Sequence, residues 1–273
     1  MKKHMLRRAP NLLGPLVIAL VPLAARAEET QTWSDRLLGD KTQVSVGAAT
    51  IVAPRYLGSD SYRVQLLPVF AIERGIFFAD TSRGAGVQFQ TDSGFYASQS
   101  VYYDFGRLQR NSVLRPGSTR LAGMGDVPGS VTTRTLLMQQ ITPSFSVNAE
   151  AEFSLKDGAR RNHYRLGAEY NLLKNSTDTV ALDVDVHAGD RRYNQAYFGV
   201  TDAQSARTPF SAFKAGSGMY AYSIGASWSH TLSPHWTTTL HVAVMQYVDN
   251  AKASPLVAKR TSVTGDAAVT YTF

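Results

Sequence analysis

The residues with most capacity for chemistry lie near the middle of the chain, where Asp183-x-Asp185-x-His187 sets two carboxylates and an imidazole at alternate positions. In an extended segment alternate side chains share one face, so these three point the same way. Together with His241 and a serine such as Ser223 or Ser227, they are the ingredients of a hydroxyl nucleophile activated by an imidazole that a carboxylate orients. His187, His241, Asp183 and Asp185 also have the donor types of a metal site, without a diagnostic spacing. Glu150, Glu152, Arg165 and Glu169 extend this polar set over two further extended segments. Lining one wall of a pore, such carboxylates would favour cations. Braced against one another, they would instead be a structural network of ion pairs. With no cysteine in the chain, disulfides and thiolate metal sites are excluded. The glycine pairs Gly84/Gly86 and Gly216/Gly218 precede strands and not helices, so they form no phosphate loop. No catalytic residue, metal or cofactor is assigned, and we expect a non-enzyme.

The elements that carry these residues are read from alternation. Phe145, Val147, Ala149, Ala151, Phe153 and Leu155 interleave with Ser144, Ser146, Asn148, Glu150, Glu152 and Ser154, which makes one face apolar and the other polar. The same dyad recurs through 162–172, 178–188 and 261–273. Reading every such run predicts strands near 43–53, 62–72, 76–81, 85–91, 95–105, 129–140, 144–155, 162–172, 178–188, 218–230, 235–248 and 261–273. That is twelve, or ten if the pair 76–81 and 85–91 is discounted. The connections sort by parity: 54–61, 106–128, 156–161, 189–217 and 249–260 are long and odd in order, and every even connection is short. A soluble sandwich has no reason to do this, whereas an outer-membrane barrel has short periplasmic turns and long extracellular loops. Aromatic residues gather at strand ends, as in Tyr102, Tyr103 and Phe105, or Trp236, Tyr247, Tyr271 and Phe273, where rings suit the headgroup interface. We therefore expect an all-β, transmembrane antiparallel barrel over 43–273 with both termini periplasmic.

Charge and the N-terminus fit that reading. The 273-residue chain carries a formal +7. Residues 1–27 hold five of the 28 basic residues and none of the 21 acidic ones, leaving 23 against 21, or +2. A basic start, a short apolar run and Ala25-Arg26-Ala27 read as a cleaved secretory signal ending at residue 27. Residues 28–42, with Trp33, read as a polar periplasmic lead-in. A remainder so close to neutral has no electrostatic case for nucleic acid. After residue 27 no run approaches the roughly 18 apolar residues of a helical span.

Several segments carry a more specific likeness: Pro54-Arg55-Tyr56-Leu57-Gly58-Ser59, Leu67-Pro68, Gly106-Arg107, Leu121-Ala122-Gly123-Met124-Gly125-Asp126, Tyr197-Phe198-Gly199-Val200, Ser254-Pro255-Leu256 and the final Tyr271-Thr272-Phe273. In this order and spacing the chain resembles the MltA-interacting protein (MipA/OmpV) family over essentially its whole mature length. The resemblance implies an outer-membrane barrel acting as a scaffold between a lytic murein transglycosylase and a peptidoglycan synthase, and members are also discussed in antibiotic uptake. It brings no catalytic residues. The terminal Tyr271 and Phe273 resemble the signal read by the barrel assembly machinery. The alternative function is a channel for small solutes or antibiotics with a polar, partly acidic lumen lined by Glu150, Glu152, Arg165, Glu169, Asp183, Asp185 and His187. In the long connections, Arg107, Arg110, Arg115 and Arg120 are candidates for lipopolysaccharide phosphates, which bidentate arginine suits.

Overall fold

The computed structural model describes residues 37–39, 41–156 and 161–273. The signal sequence expected over 1–27 and most of the lead-in expected over 28–42 lie outside the described residues. Among those residues twelve strands form one closed antiparallel barrel in which each strand pairs with its sequence neighbours and the last pairs with the first. They are β1 (Thr42–Pro54), β2 (Tyr62–Arg74), β3 (Phe77–Asp80), β4 (Gly84–Gln90), β5 (Phe95–Asp104), β6 (Ser130–Thr142), β7 (Phe145–Ser154), β8 (Asn162–Lys174), β9 (Asp178–Gly189), β10 (Gly218–Thr231), β11 (Trp236–Tyr247) and β12 (Thr261–Thr272). The discounted pair is a real hairpin, shorter than its neighbours. No described helix is long and apolar enough to cross a membrane.

The two faces are inverted relative to a soluble protein. Leu66, Phe89, Leu166, Val184, Ile224 and Val242 stand exposed on the outside. Gln65, Ser100, Arg134, Glu150, Arg165, Asp185, His241 and Asp266 are buried inside. Large apolar side chains turned outward all round a closed sheet have only lipid as a suitable solvent. Closure also leaves no ladder edge at the seam: Ser45 pairs with Thr272 and Val52 with Gly265.

At one barrel end the connections are short turns, and both the first and last strands start or finish there. His235, Trp236, Tyr271 and Phe273 form a ring cluster at this end, with Tyr271 stacked on His235 at 5.3 Å and edge-on to Trp236 at 5.1 Å. The described part of the lead-in docks here too, Leu37 accepting from the Ile76 N–H at 2.9 Å and Leu38 from the Arg74 side chain at 3.2 Å.

At the opposite end the long connections are not solvated loops. The 190–217 connection contains a helix, α1 (Arg191–Phe198), which the alternation reading did not anticipate. Its N-terminus is capped by Asp190, whose carboxylate accepts from the Tyr193 N–H at 2.6 Å. Tyr193, Tyr197 and Phe198 of α1 pack on Tyr220, Tyr247 and Ala251. Beside them Tyr56, Leu121, Met124, Val200, Phe210 and Leu256, drawn from four different connections, make a second apolar cluster. The long connections thus fold together into a cap with its own core.

Candidate functional site

Register decides what the polar wall becomes. Across β6, β7, β8 and β9, Arg134 lies opposite Glu152, Glu150 opposite Arg165, and Arg165 opposite His187. Arg134 reaches Glu150 at 2.6 Å and Glu152 at 3.7 Å, while Arg165 reaches Glu150 at 3.1 Å and Asp185 at 2.6 Å. His163 lies 3.2 Å from Glu152, which also accepts a short hydrogen bond from the Tyr102 phenol. The five charged groups from Glu152 to Asp185 are all buried, so the ladder Glu152–Arg134–Glu150–Arg165–Asp185 alternates in sign across the wall. In this part of the lumen the carboxylates are matched by arginines, and an uninterrupted acidic wall does not form.

Glu169 and Asp183 lie outside this ladder, opposite each other on β8 and β9. Asp183 has His241 at 3.6 Å, and the other ring nitrogen of His241 lies 3.4 Å from Asp266. Asp183 and His241 crowd over Gly225, where a Cβ would stand 2.6 Å from the Asp183 carboxylate and 2.8 Å from the His241 ring nitrogen. Glycine is what leaves room for them. Among the described residues no group of three or more His, Asp or Glu side chains is placed to hold a metal ion.

The hydroxyl–imidazole pairing anticipated from sequence is present in part. His187 Nε2 and Ser223 Oγ are 2.9 Å apart. Asp185 is engaged by Arg165, and no described carboxylate is hydrogen-bonded to the second nitrogen of His187. The Tyr220 ring lies tilted 5.9 Å from that imidazole. An orienting acid, which nucleophilic catalysis of this kind requires, is not part of the arrangement.

Sequence reasoning missed two arginines. Arg134 brackets the ladder, and Arg83 braces the short β3–β4 hairpin from inside through Asp80 at 2.5 Å and Glu73 at 2.8 Å, its guanidinium over the Phe78 ring at 4.0 Å. The basic residues of the long connections divide. Arg110 and Arg120 are exposed, and Arg120 lies over the Phe210 ring at 5.7 Å. Arg115 is half-buried and donates to the Phe105 carbonyl. Arg107 is only 2% exposed. It donates to the Tyr197 carbonyl at 3.1 Å and so faces into the cap. Burial pulls this guanidinium below its ordinary value and pushes the Tyr193, Tyr197 and Tyr56 phenols above theirs.

A closed sheet with an apolar exterior, a polar lumen and a folded cap defines a transmembrane β-barrel. A model of the family described as MltA-interacting protein MipA matches residues 46–273, and the chain belongs to that family of outer-membrane barrels. No curated protein matches the sequence. Among solved structures, an outer membrane channel from Pseudomonas putida F1 is 9% identical, with a TM-score of 0.47 over 90% of this chain and 100% of that one. The NanC porin is 10% identical, with a TM-score of 0.41 over 85% of this chain and 99% of that one. The toluene transporter TodX of Pseudomonas putida is 11% identical, with a TM-score of 0.38 over 85% of this chain and 89% of that one.

Proposed function

We propose that this protein is an outer-membrane scaffold that presents surfaces to murein enzymes, a lytic transglycosylase and a peptidoglycan synthase, and does not itself conduct solutes. The observation that carries this is the cap: Tyr193, Tyr197 and Phe198 pack with Tyr220 and Tyr247 across one barrel mouth. The lumen beneath holds its charges in mutual ion pairs. The partner class comes from the family description, which names an MltA-interacting protein. Contact with murein enzymes belongs at the short-turn end, which in this reading is periplasmic together with both termini. There the exposed Leu37, Leu38, Ile141, Leu173 and Leu232 offer apolar surface. A stable interface buries about 800 Å² per partner, more than one turn supplies, so the lead-in over 28–42 has to contribute. Deleting residues 30–41 should abolish pull-down of a murein transglycosylase while the barrel still assembles. Undiminished pull-down would refute this placement.

The second reading is a cation-favouring channel, and it rests on Glu169 and Asp183, which stand outside the arginine ladder. Planar bilayer recording separates the two. A scaffold gives no unitary conductance; a channel gives one whose cation preference falls when Asp183 is neutralised together with Glu150, Glu152 and Asp185.

A further inference from the structure

The wall of the barrel is incomplete on one side. β3 pairs with β2 only over Ala71–Arg74, and β4 starts at Gly84, so β2 from Tyr62 to Phe70 has no strand beside it on that side. On the far side of the gap β5 runs on past Val101, its last residue paired with β4, whose partner there is Ala85. The barrel thus has twelve strands at the turn end and ten toward the cap, with a notch above the 81–83 turn. Even-numbered residues of β2 direct their backbone groups into this notch: the Phe70 N–H donates to Thr81 Oγ1 at 3.0 Å, and the Phe70 carbonyl accepts from the Thr81 N–H at 3.0 Å. Pro68 sits on this edge, where its missing N–H leaves no donor orphaned. Val64 and Leu66 have no described backbone partner on that side.

Segment 112–117 bridges the top of the notch. The Val113 carbonyl accepts from Arg63 at 3.3 Å, the Leu114 carbonyl accepts from the Gln65 side chain at 2.9 Å, and the Gly117 N–H donates to the Arg55 carbonyl at 2.6 Å. Below the bridge Leu66 is 73% exposed, and Leu114 in the bridge itself is 68% exposed. On the intact wall Leu166, Leu182 and Leu240 are 63%, 42% and 40% exposed. The upper corner is basic, with Arg63 on the inward face of β2 beside the buried Gln65 and opposite the outward Val64 and Leu66. Arg63 and Arg115 each have a buried Nε without a hydrogen-bond partner, and neither meets a carboxylate among the described residues. Arg55 is close enough to Arg63 for their like charges to interact.

An apolar strip with open backbone groups, topped by guanidinium groups lacking a counter-charge, has the chemistry of an acyl lipid with a phosphorylated, hydroxyl-rich headgroup. We propose that the notch is a binding site for a phosphorylated glycolipid of the outer leaflet. Its phosphate enters through the notch to meet Arg115 and the inward-facing Arg63, its sugar hydroxyls meet the open β2 edge, and an acyl chain lies over Val64 and Leu66 on the outer face. In lipid, unpaired backbone groups are strongly disfavoured, so an occupant able to hydrogen-bond there is favoured over bulk acyl chains. Bidentate arginine suits the phosphate. The proposal rests on the outer-membrane reading but not on the scaffold role.

The test uses the full chain refolded in detergent, with retention of bis-phosphorylated lipid A measured by native mass spectrometry. The R63Q/R115Q double variant should bind at least tenfold more weakly than wild type, while R191Q/R192Q, on exposed arginines elsewhere in the cap, should bind as wild type does. Dephosphorylated lipid A should show the same tenfold loss on wild type and no further loss on the double variant. Heat-modifiable gel migration establishes that each variant is folded. In wild-type-like protein a photo-crosslinker at Leu66 should capture lipid A in excess over one at Leu182. Equal binding by both double variants, equal capture at the two positions, or equal competition by phosphatidylglycerol would overturn the site. Absence of the barrel from the outer-membrane fraction would instead overturn the reading beneath it.

Discussion

At the residue scale, Arg165 holds the lumen together. It is 4% exposed and bridges Glu150 on β7 and Asp185 on β9 from its place on β8. Removing one member of a buried ion pair costs about 3–5 kcal/mol because the partner's charge is left uncompensated. Arg165→Met should therefore lower the midpoint of urea unfolding in detergent, and adding Glu150→Gln should recover part of the loss; full stability of the single variant would show that water already solvates these groups. The sequence told which residues face inward and not how they pair. Alternation put Glu150, Glu152, Arg165 and Asp185 on one face. It was silent about Arg134, because Leu136-Leu137-Met138 breaks the alternation of β6: Leu136 and Met138 turn inward against Tyr96. Nothing local marks such an apolar patch inside a polar lumen. It depends on what β5 brings alongside.

At the element scale, the cap is where reading by composition falls short. The 189–217 connection looks basic and solvated when its charges are counted. Its apolar residues tell a different story, since Tyr193, Tyr197 and Val200 recur at helical spacing after an Asp that caps α1. That signal was available, but a strand-by-strand search for period two passes over it. The cap's tyrosines give a measurable consequence. Burial raises the Tyr193, Tyr197 and Tyr56 phenols above the unfolded value of about 10. Their neutral forms therefore contribute stability that is complete below pH 10 and is lost as pH rises through the folded values. Ultraviolet titration should show part of the 13 tyrosines ionising at ordinary pH and a second class only above it. Phe198→Ala, which truncates a side chain with no exposure, should cost the cap about 3–5 kcal/mol and move that second class down toward 10. A single tyrosine class in the wild type would mean that the cap is open in solution.

At the scale of the whole molecule, strand number, strand limits and the sorting of connections by length were all legible, because lipid on one side and a polar lumen on the other impose a period of two over nearly every strand. The truncated hairpin was legible only as two short segments. That they leave a notch follows from pairing, which no single segment encodes. The terminal aromatics belong to this scale as well. Tyr271 pairs with Val46, and the Phe273 N–H donates to the Val44 carbonyl at 3.0 Å. Deleting Tyr271–Phe273 should leave a chain that reaches the periplasm but gives no heat-modifiable barrel in the outer membrane; normal assembly would remove these residues from the recognition step.

The seam has a further consequence for how the protein comes into being. Ser45 and Thr272, whose hydroxyls meet at 2.8 Å, are 227 positions apart in the chain. Contacts so distant in sequence form slowly, since the loop between them must be closed before they add any stability. While it waits, the chain carries two open ladder edges and an apolar face with no lipid to cover it, a template for aggregation. Survival of this protein is accordingly a kinetic matter: its yield in the cell should track how well the unclosed chain is escorted, more than how stable the finished barrel is.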